Sequence, residues 1–173
     1  GFALVGLAAG TAEGVAAVMS YLAIYVVMTI GSFLCIMQMR DADGRPVEEI
    51  ASLAGLSQSR KGLAAAFAIF MFSLAGIPPL MGFWAKFLVF DAAVGAGMTG
   101  LAAFGIAMSV IGAFYYLKIV KTIYFDEPAA DYAPAGSPIE SALMAVAAAV
   151  IVLGYLLNPF LDKVSTAAAA ALH

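Results

Sequence analysis

The sequence predicts an all-α integral membrane fold, a polytopic bundle of transmembrane helices in which one helix is discontinuous. Three observations carry this. Hydrophobic residues make up 64% of the 173 residues, charged residues only 11%, and the mean hydropathy is +1.02, whereas soluble domains are about half apolar and a quarter charged. The apolar residues fall in runs of about 20 to 32, and a hydrocarbon core takes about 20 residues per helix. One run is interrupted by adjacent prolines followed by a lysine, in "SLAGIPPLMGFWAKF" from Ser73 to Phe87. A large aqueous core is excluded.

The chain opens "GFALVGLAAG", already apolar, without methionine or a secretory pattern. Residues 1–10 read as the end of a preceding span, and the whole as the C-terminal segment of a longer subunit. The first complete span covers about 11–38. Tyr21, Tyr25, Thr29 and Ser32 lie along it at steps of four, four and three, which stacks them on one helix face. That face is expected to point into the bundle, either for plain helix packing or to hold water and relay protons. Cys35 reads as a small core residue.

The connection 39–61 carries Arg40, Arg45, Arg60 and Lys61. Val47, Ile50, Leu53 and Ala54 recur in it at helical spacing, so it is either a short amphipathic helix on the membrane surface or a solvated loop.

The span 62–93 contains the break. A proline inside a helix costs about 3 kcal/mol, because it deletes an N–H donor and its ring clashes with the preceding turn. Pro78 and Pro79 together, flanked by Gly76 and Gly82, are expected to interrupt the helix and to free carbonyls near Phe72 and Ser73. In lipid such groups need protein or a wet cavity beside them. Lys86 follows two turns later. It reads either as snorkelling past Phe90 to the interface or as a buried titratable amine exchanging protons with water in the bundle. Glu13 and Asp91, at the outer ends of spans, read as caps or exit-side carboxylates.

After the short uncharged connection "VGAGMTG", the span 100–124 presents Gly105, Ser109, Gly112 and Tyr116 on one line, small residues that let neighbouring backbones approach. Lys118 lies on another face, where snorkelling and a relay role are both open, and Lys121 is expected at the interface. A Pro- and acid-rich loop, 125–138, leads to a last span at about 139–157. Six Lys and Arg accompany the first and third connections, against Lys163 alone on the other side. The positive-inside rule puts loops 39–61 and 125–138 in the cytoplasm and the C-terminus opposite.

Other function classes are excluded by what is missing. One cysteine allows no internal disulfide, His173 is the only histidine, and no Cys or His cluster has metal-ligand spacing. A net charge of −3 spread over short loops offers nothing to nucleic acid. No nucleotide-binding or Ser/His/Asp arrangement occurs in a workable setting, so no catalytic residue is assigned.

The stretch "FAIFMFSLAGIPPLMGFWAKF" resembles the signature of the antiporter-like subunits of respiratory complex I, the proton-pumping NADH:quinone oxidoreductase, in which a broken helix bears a lysine or glutamate within the membrane. The flanking "GFALVGLAAGTAEGVAAVMSYLAIYVVMTIGSF" and "SVIGAFYYLKIVKTIYFDEP" are most similar to the subunit N family of bacteria, subunit 2 of the mitochondrial enzyme. The resemblance implies about fourteen helices in two inverted five-helix repeats, each with one interrupted helix, an arrangement common among transporters. These residues would supply the last four spans. It implies that Lys86 is the ionisable residue of the broken helix, on the outward half of a proton path, and that Lys118 occupies a position where members carry a basic residue. The family's glutamate and lysines of the first repeat have no counterpart in this chain.

The resemblance further implies a proton-translocating membrane subunit of a bacterial inner membrane. Electron transfer elsewhere would alter the charge around Lys86 and so the direction in which its proton leaves. No cofactor is expected in this chain, whereas FMN, iron–sulfur clusters and quinone are expected in partner subunits. Its partners would be neighbouring antiporter-like and small membrane subunits, and lipids. A multi-component cation/proton antiporter and a structural membrane subunit without conduction are the alternatives.

Overall fold

A computed structural model describes residues 1–41, 43–47, 49–128, 132, 133 and 137–171, with the backbone alone at 157. Residues 129–131 and 134–136 of the 125–138 loop, and His173, lie outside the described residues. The described elements are helical: α1 (Phe2–Ala8), α2 (Ala12–Met37), a 3-10 turn (Ile50–Leu53), α3 (Leu56–Ser59), α4 (Lys61–Ala75), α5 (Met81–Gly95), α6 (Thr99–Phe125), α7 (Pro138–Leu153), a second 3-10 turn (Gly154–Leu157) and α8 (Asn158–Ala170).

Helix α2 is the spine. Its N-terminus is closed by Thr11, whose hydroxyl accepts from the Gly14 N–H at 3.0 Å, and Glu13 in the first turn complements the positive end of the helix dipole. Its 26 residues span about 39 Å at 1.5 Å per residue, enough to cross a membrane. Helices α1, α4, α5, α7 and α8 all pack against it. Helix α7 runs antiparallel beside its C-terminal half, where Ser141 donates to Gln38 Oε1 at 2.9 Å. Helix α8 continues along the N-terminal half, where Asp162, Ser165 and Thr166 share a cavity with Glu13, Ala16 and Ser20.

The last span, read at about 139–157, coincides with the apolar helical stretch Pro138–Leu156, and α8 follows it as a separate helix for which the sequence reading had no element. Pro159 and the charges Asp162 and Lys163 make residues 158–170 too polar to read as membrane sequence. The helix survives there because α2 covers its buried face at Asn158, Ser165 and Ala169. The span 62–93 resolves, as expected, into two half-helices, α4 and α5, of 15 residues each.

The segment 47–54 is neither a free surface helix nor a solvated loop. Ile50 is exposed, but Leu53, Ala54 and Leu56 are buried, and the Gly55 N–H donates to the Thr122 carbonyl of α6 at 3.3 Å. The connection is folded back as a plug on one end of the bundle.

Helix α6 is the peripheral element. Only Ala102, Gly105, Val120, Thr122 and Ile123 are buried along its 27 residues, while Phe104, Val110, Phe114 and Phe125 are more than half exposed. Lipid or neighbouring membrane protein tolerates such a face, since neither demands polar cover. Gly105 faces the Phe90 ring, where a Cβ would come within 2.7 Å, so the small-residue line does serve close packing there.

Candidate functional site

The site grows out of the α4–α5 break. Gly76 stops α4 in the left-handed conformation, φ +89°, which an L side chain rarely adopts. Its N–H donates to the Ser73 carbonyl at 3.0 Å, and the Ile77 N–H to the Phe72 carbonyl at 3.0 Å, a Schellman ending. The expectation that Phe72 and Ser73 would be left open is therefore corrected: the turn itself satisfies both. The carbonyls that lose their donors are Leu74 and Ala75. In a continuing helix these would accept from residues 78 and 79, and both are prolines.

Lys86 fills both vacancies. Its Nζ donates to the Leu74 carbonyl at 2.9 Å and to the Ala75 carbonyl at 3.1 Å. A third bond, 2.9 Å, joins it to Ser109 Oγ on α6, and the Phe2 ring of α1 lies 5.0 Å away in cation–π geometry. The ammonium's three donors are thus fully used. No carboxylate lies within ion-pair distance of it among the described residues.

The start of α5 is held by the other half of the break. Ser73, fully buried on α4, accepts from the Gly82 N–H at 3.0 Å and donates to Met28 Sδ of α2 at 3.0 Å. Gly82 is required because a Cβ there would collide with the Ser73 carbonyl oxygen. Sequence reasoning assigned Ser73 no role. Its one signal was a serine in an apolar helix, one turn before a break.

Two cavities meet at Lys86. The smaller, about 110 Å³, is lined by Tyr21, Tyr25, Tyr116, Ser109 and Gly112 together with Phe2, Met28 and Leu74, room for about three waters. The larger, about 580 Å³, is a mostly apolar groove between α5 and α6 that runs from Gly76 and Ser109 past Phe87 to Asp91. The two predicted polar lines converge here in part. Tyr21 and Tyr25 stack at 5.8 Å between ring centroids, facing Ser109, Gly112 and Tyr116. Tyr25 is also 42% exposed, so that face of α2 points only partly inward. Ser32 instead donates to its own helix at the Met28 carbonyl, 2.8 Å, and Thr29, half-buried, lines neither cavity. Lys118 is exposed and lines neither cavity.

An interrupted helix whose prolines expose two carbonyls to a lysine, set in a bundle with three helices long and apolar enough to span a membrane among the described residues, defines a polytopic membrane protein with a cation held at a helix break. The chain belongs to the NADH:quinone oxidoreductase/Mrp antiporter transmembrane family, which matches residues 1–112 and so includes the break, Lys86 and Ser109. It is 70% identical, over 99% of its length, to NADH-quinone oxidoreductase subunit N of Rhizorhabdus wittichii, and covers 36% of that protein. It thus spans about a third of the length of the curated relatives it matches. Among solved structures it is similar to a chain of respiratory complex I from Thermus thermophilus with bound aureothin, at 30% identity and a TM-score of 0.78, covering 92% of this chain and 36% of that one. It shares its fold with a chain of the Mrp complex from Dietzia sp. DQ12-45-1b, at 24% identity and a TM-score of 0.82, covering 98% and 40%.

Proposed function

We propose that the chain is part of a proton-translocating subunit of respiratory complex I, of the N type, and that Lys86 is its proton-carrying group. The observation that carries this is the coordination of the Lys86 amine, which is satisfiable in both protonation states. The ammonium donates to Leu74, Ala75 and Ser109. When it loses one proton, two N–H groups stay on the carbonyls and the nitrogen lone pair accepts from the Ser109 hydroxyl, which is donor and acceptor at once. The break therefore keeps its partners while the charge leaves. The departing proton passes to water in the tyrosine-lined cavity on one side or in the groove toward Asp91 on the other.

The family membership, the 70% identity to a subunit N and the likeness to a complex I chain support this reading. In it, flavin, iron–sulfur and quinone chemistry belong to partner subunits, and charge changes in that machinery bias the proton on Lys86. Loops 39–61 and 125–138 face the cytoplasm, by the positive-inside count. Lys118 then stands near the cytoplasmic mouth of the path.

The test is Lys86→Met in the full-length subunit within its complex. Protons pumped per NADH oxidised should fall while NADH oxidation by the input module persists. An unchanged stoichiometry removes Lys86 from the path. Sodium-dependent proton flux without NADH oxidation would place the protein with the cation antiporters instead.

A further inference from the structure

A further cavity, about 510 Å³, lies at the far end of the bundle from Glu13, where α2 ends and α4 and α7 begin. Gln38, Ser59, Arg60, Lys61, Tyr132 and Ser141 line it, and among the described residues no Asp or Glu does. Two cations thus face one concave space without a counter-charge among the described residues.

Each cation has spare capacity. Arg60 donates one bond, Nη1 to the Gln38 carbonyl at 2.6 Å, which leaves four of its five N–H groups without a partner among the described residues. Burial holds the Arg60 guanidinium below its ordinary value. Lys61 is exposed and forms no ion pair among the described residues.

The backbone adds to this. Helix α4 starts with no side-chain cap, so its first N–H groups and the positive end of its dipole face the same space. At Gly62, which also lines the cavity, nothing would stand within 4 Å of a Cβ. Independently of the helix end, the Tyr132 hydroxyl oxygen is buried in this lining and has no hydrogen-bond partner among the described residues. Ser141 is already committed to Gln38, so the open donors are those of Arg60, Lys61, the α4 N-terminus and Tyr132.

We infer that this cavity binds a phosphate group, held by Arg60, Lys61 and the amides of α4 and capped by the Tyr132 hydroxyl. The donors have the fork, point charge and amide array that a phosphate uses. The cavity sits at the ends of three membrane helices, the level of a phospholipid headgroup, and basic pockets between such helices take anionic headgroups. A soluble phosphate could offer the same oxygens, and the experiment separates the two sources.

The whole complex, with the full-length subunit, is stripped of lipid in detergent and titrated with phosphatidylglycerol, phosphatidylcholine or inorganic phosphate, with native mass spectrometry reading occupancy of this subunit. Phosphatidylglycerol should bind in preference to phosphatidylcholine, and Arg60→Gln with Lys61→Gln should weaken it roughly thirtyfold, as two interfacial cations would. Lys121→Gln, at the same end of the bundle, should leave it unchanged. Displacement by inorganic phosphate assigns the site to a soluble phosphate. Because Arg60→Gln also frees the Gln38 carbonyl, Lys61→Gln with Tyr132→Phe is the companion variant: it breaks no bond of the described structure and should still weaken binding about tenfold. Equal binding of the two lipids with no phosphate competition, or wild-type affinity in both double variants, overturns the proposal.

Discussion

The Lys86 amine lies 2.9 Å from the Leu74 carbonyl oxygen and 3.1 Å from that of Ala75, the two acceptors that Pro78 and Pro79 deprive of their helical donors. One lysine therefore repairs what two prolines break, and the functional charge is also a structural fastener.

Replacing Lys86 should cost stability as well as coupling. Each buried carbonyl left without a donor costs about 1–3 kcal/mol. Lys86→Met is expected to lower the resistance of the subunit to thermal unfolding, and Lys86→Arg to restore part of it. Scanning both variants in the purified complex separates the fastening role, which a cation of either kind supports, from proton transfer, which arginine does not.

Ser109 is predicted to position the Lys86 proton, because its hydroxyl is the only one of the three partners that can turn from acceptor to donor. Ser109→Ala should leave the break intact and lower the rate of coupled proton translocation by at least about tenfold. Ser109→Thr keeps the hydroxyl and should retain most of the rate. A pH profile of pumping identical in wild type and Ser109→Ala would assign the serine to packing alone.

Gly82→Ala should be among the most damaging small substitutions, since the new methyl meets backbone, the Ser73 carbonyl, which cannot swing aside. A loss of about 1–3 kcal/mol is expected, as for other overpacked sites. Gly105→Ala meets only the edge of the Phe90 ring and should cost less. Comparing yields of assembled complex for the two variants checks the order.

At the end of α6, the hydrogen bond from Lys121, 2.6 Å to Asp126 Oδ1, and then the charge of Lys121 hold the Asp126 carboxyl below its ordinary range. A depressed carboxylate stabilises the folded form above its unfolded value of about 3.9 and loses that contribution as pH falls through the folded value. The pair is exposed, so the effect is local fraying. Amide exchange at Thr122 to Phe125 should quicken on acidification below about pH 4 in wild type, and Asp126→Asn should remove that dependence because it already exchanges faster than wild type at neutral pH, where the wild-type pair is intact.

What could be read in the sequence followed from local rules. Span count came from run length against hydrocarbon thickness, and the break from Pro78, Pro79 and Gly76, whose effects are written in their own covalent geometry. Lys86 stood out because a cation within an apolar run has a cost. The same local rules misplaced the open carbonyls, because they counted the prolines and not the Schellman turn that Gly76 makes with Ser73.

The rest depended on how the helices are rotated and set in depth against one another. Tyr21 and Tyr116 enter the Lys86 cavity, whereas Ser32 turns back to Met28 and Lys118 faces outward, although all four lay on apolar helices at plausible spacings. Helix α8 holds together because α2 covers it, against the polar composition of residues 158–170. Ser73, Ser109 and Phe2 come to the break from three different helices. By itself the sequence determined that a membrane helix would break and carry a lysine beyond the break, since bond geometry and transfer cost act within a few residues. Only the tertiary structure decided what that lysine holds, since interhelical packing alone brings residues 2, 74, 75 and 109 to one nitrogen.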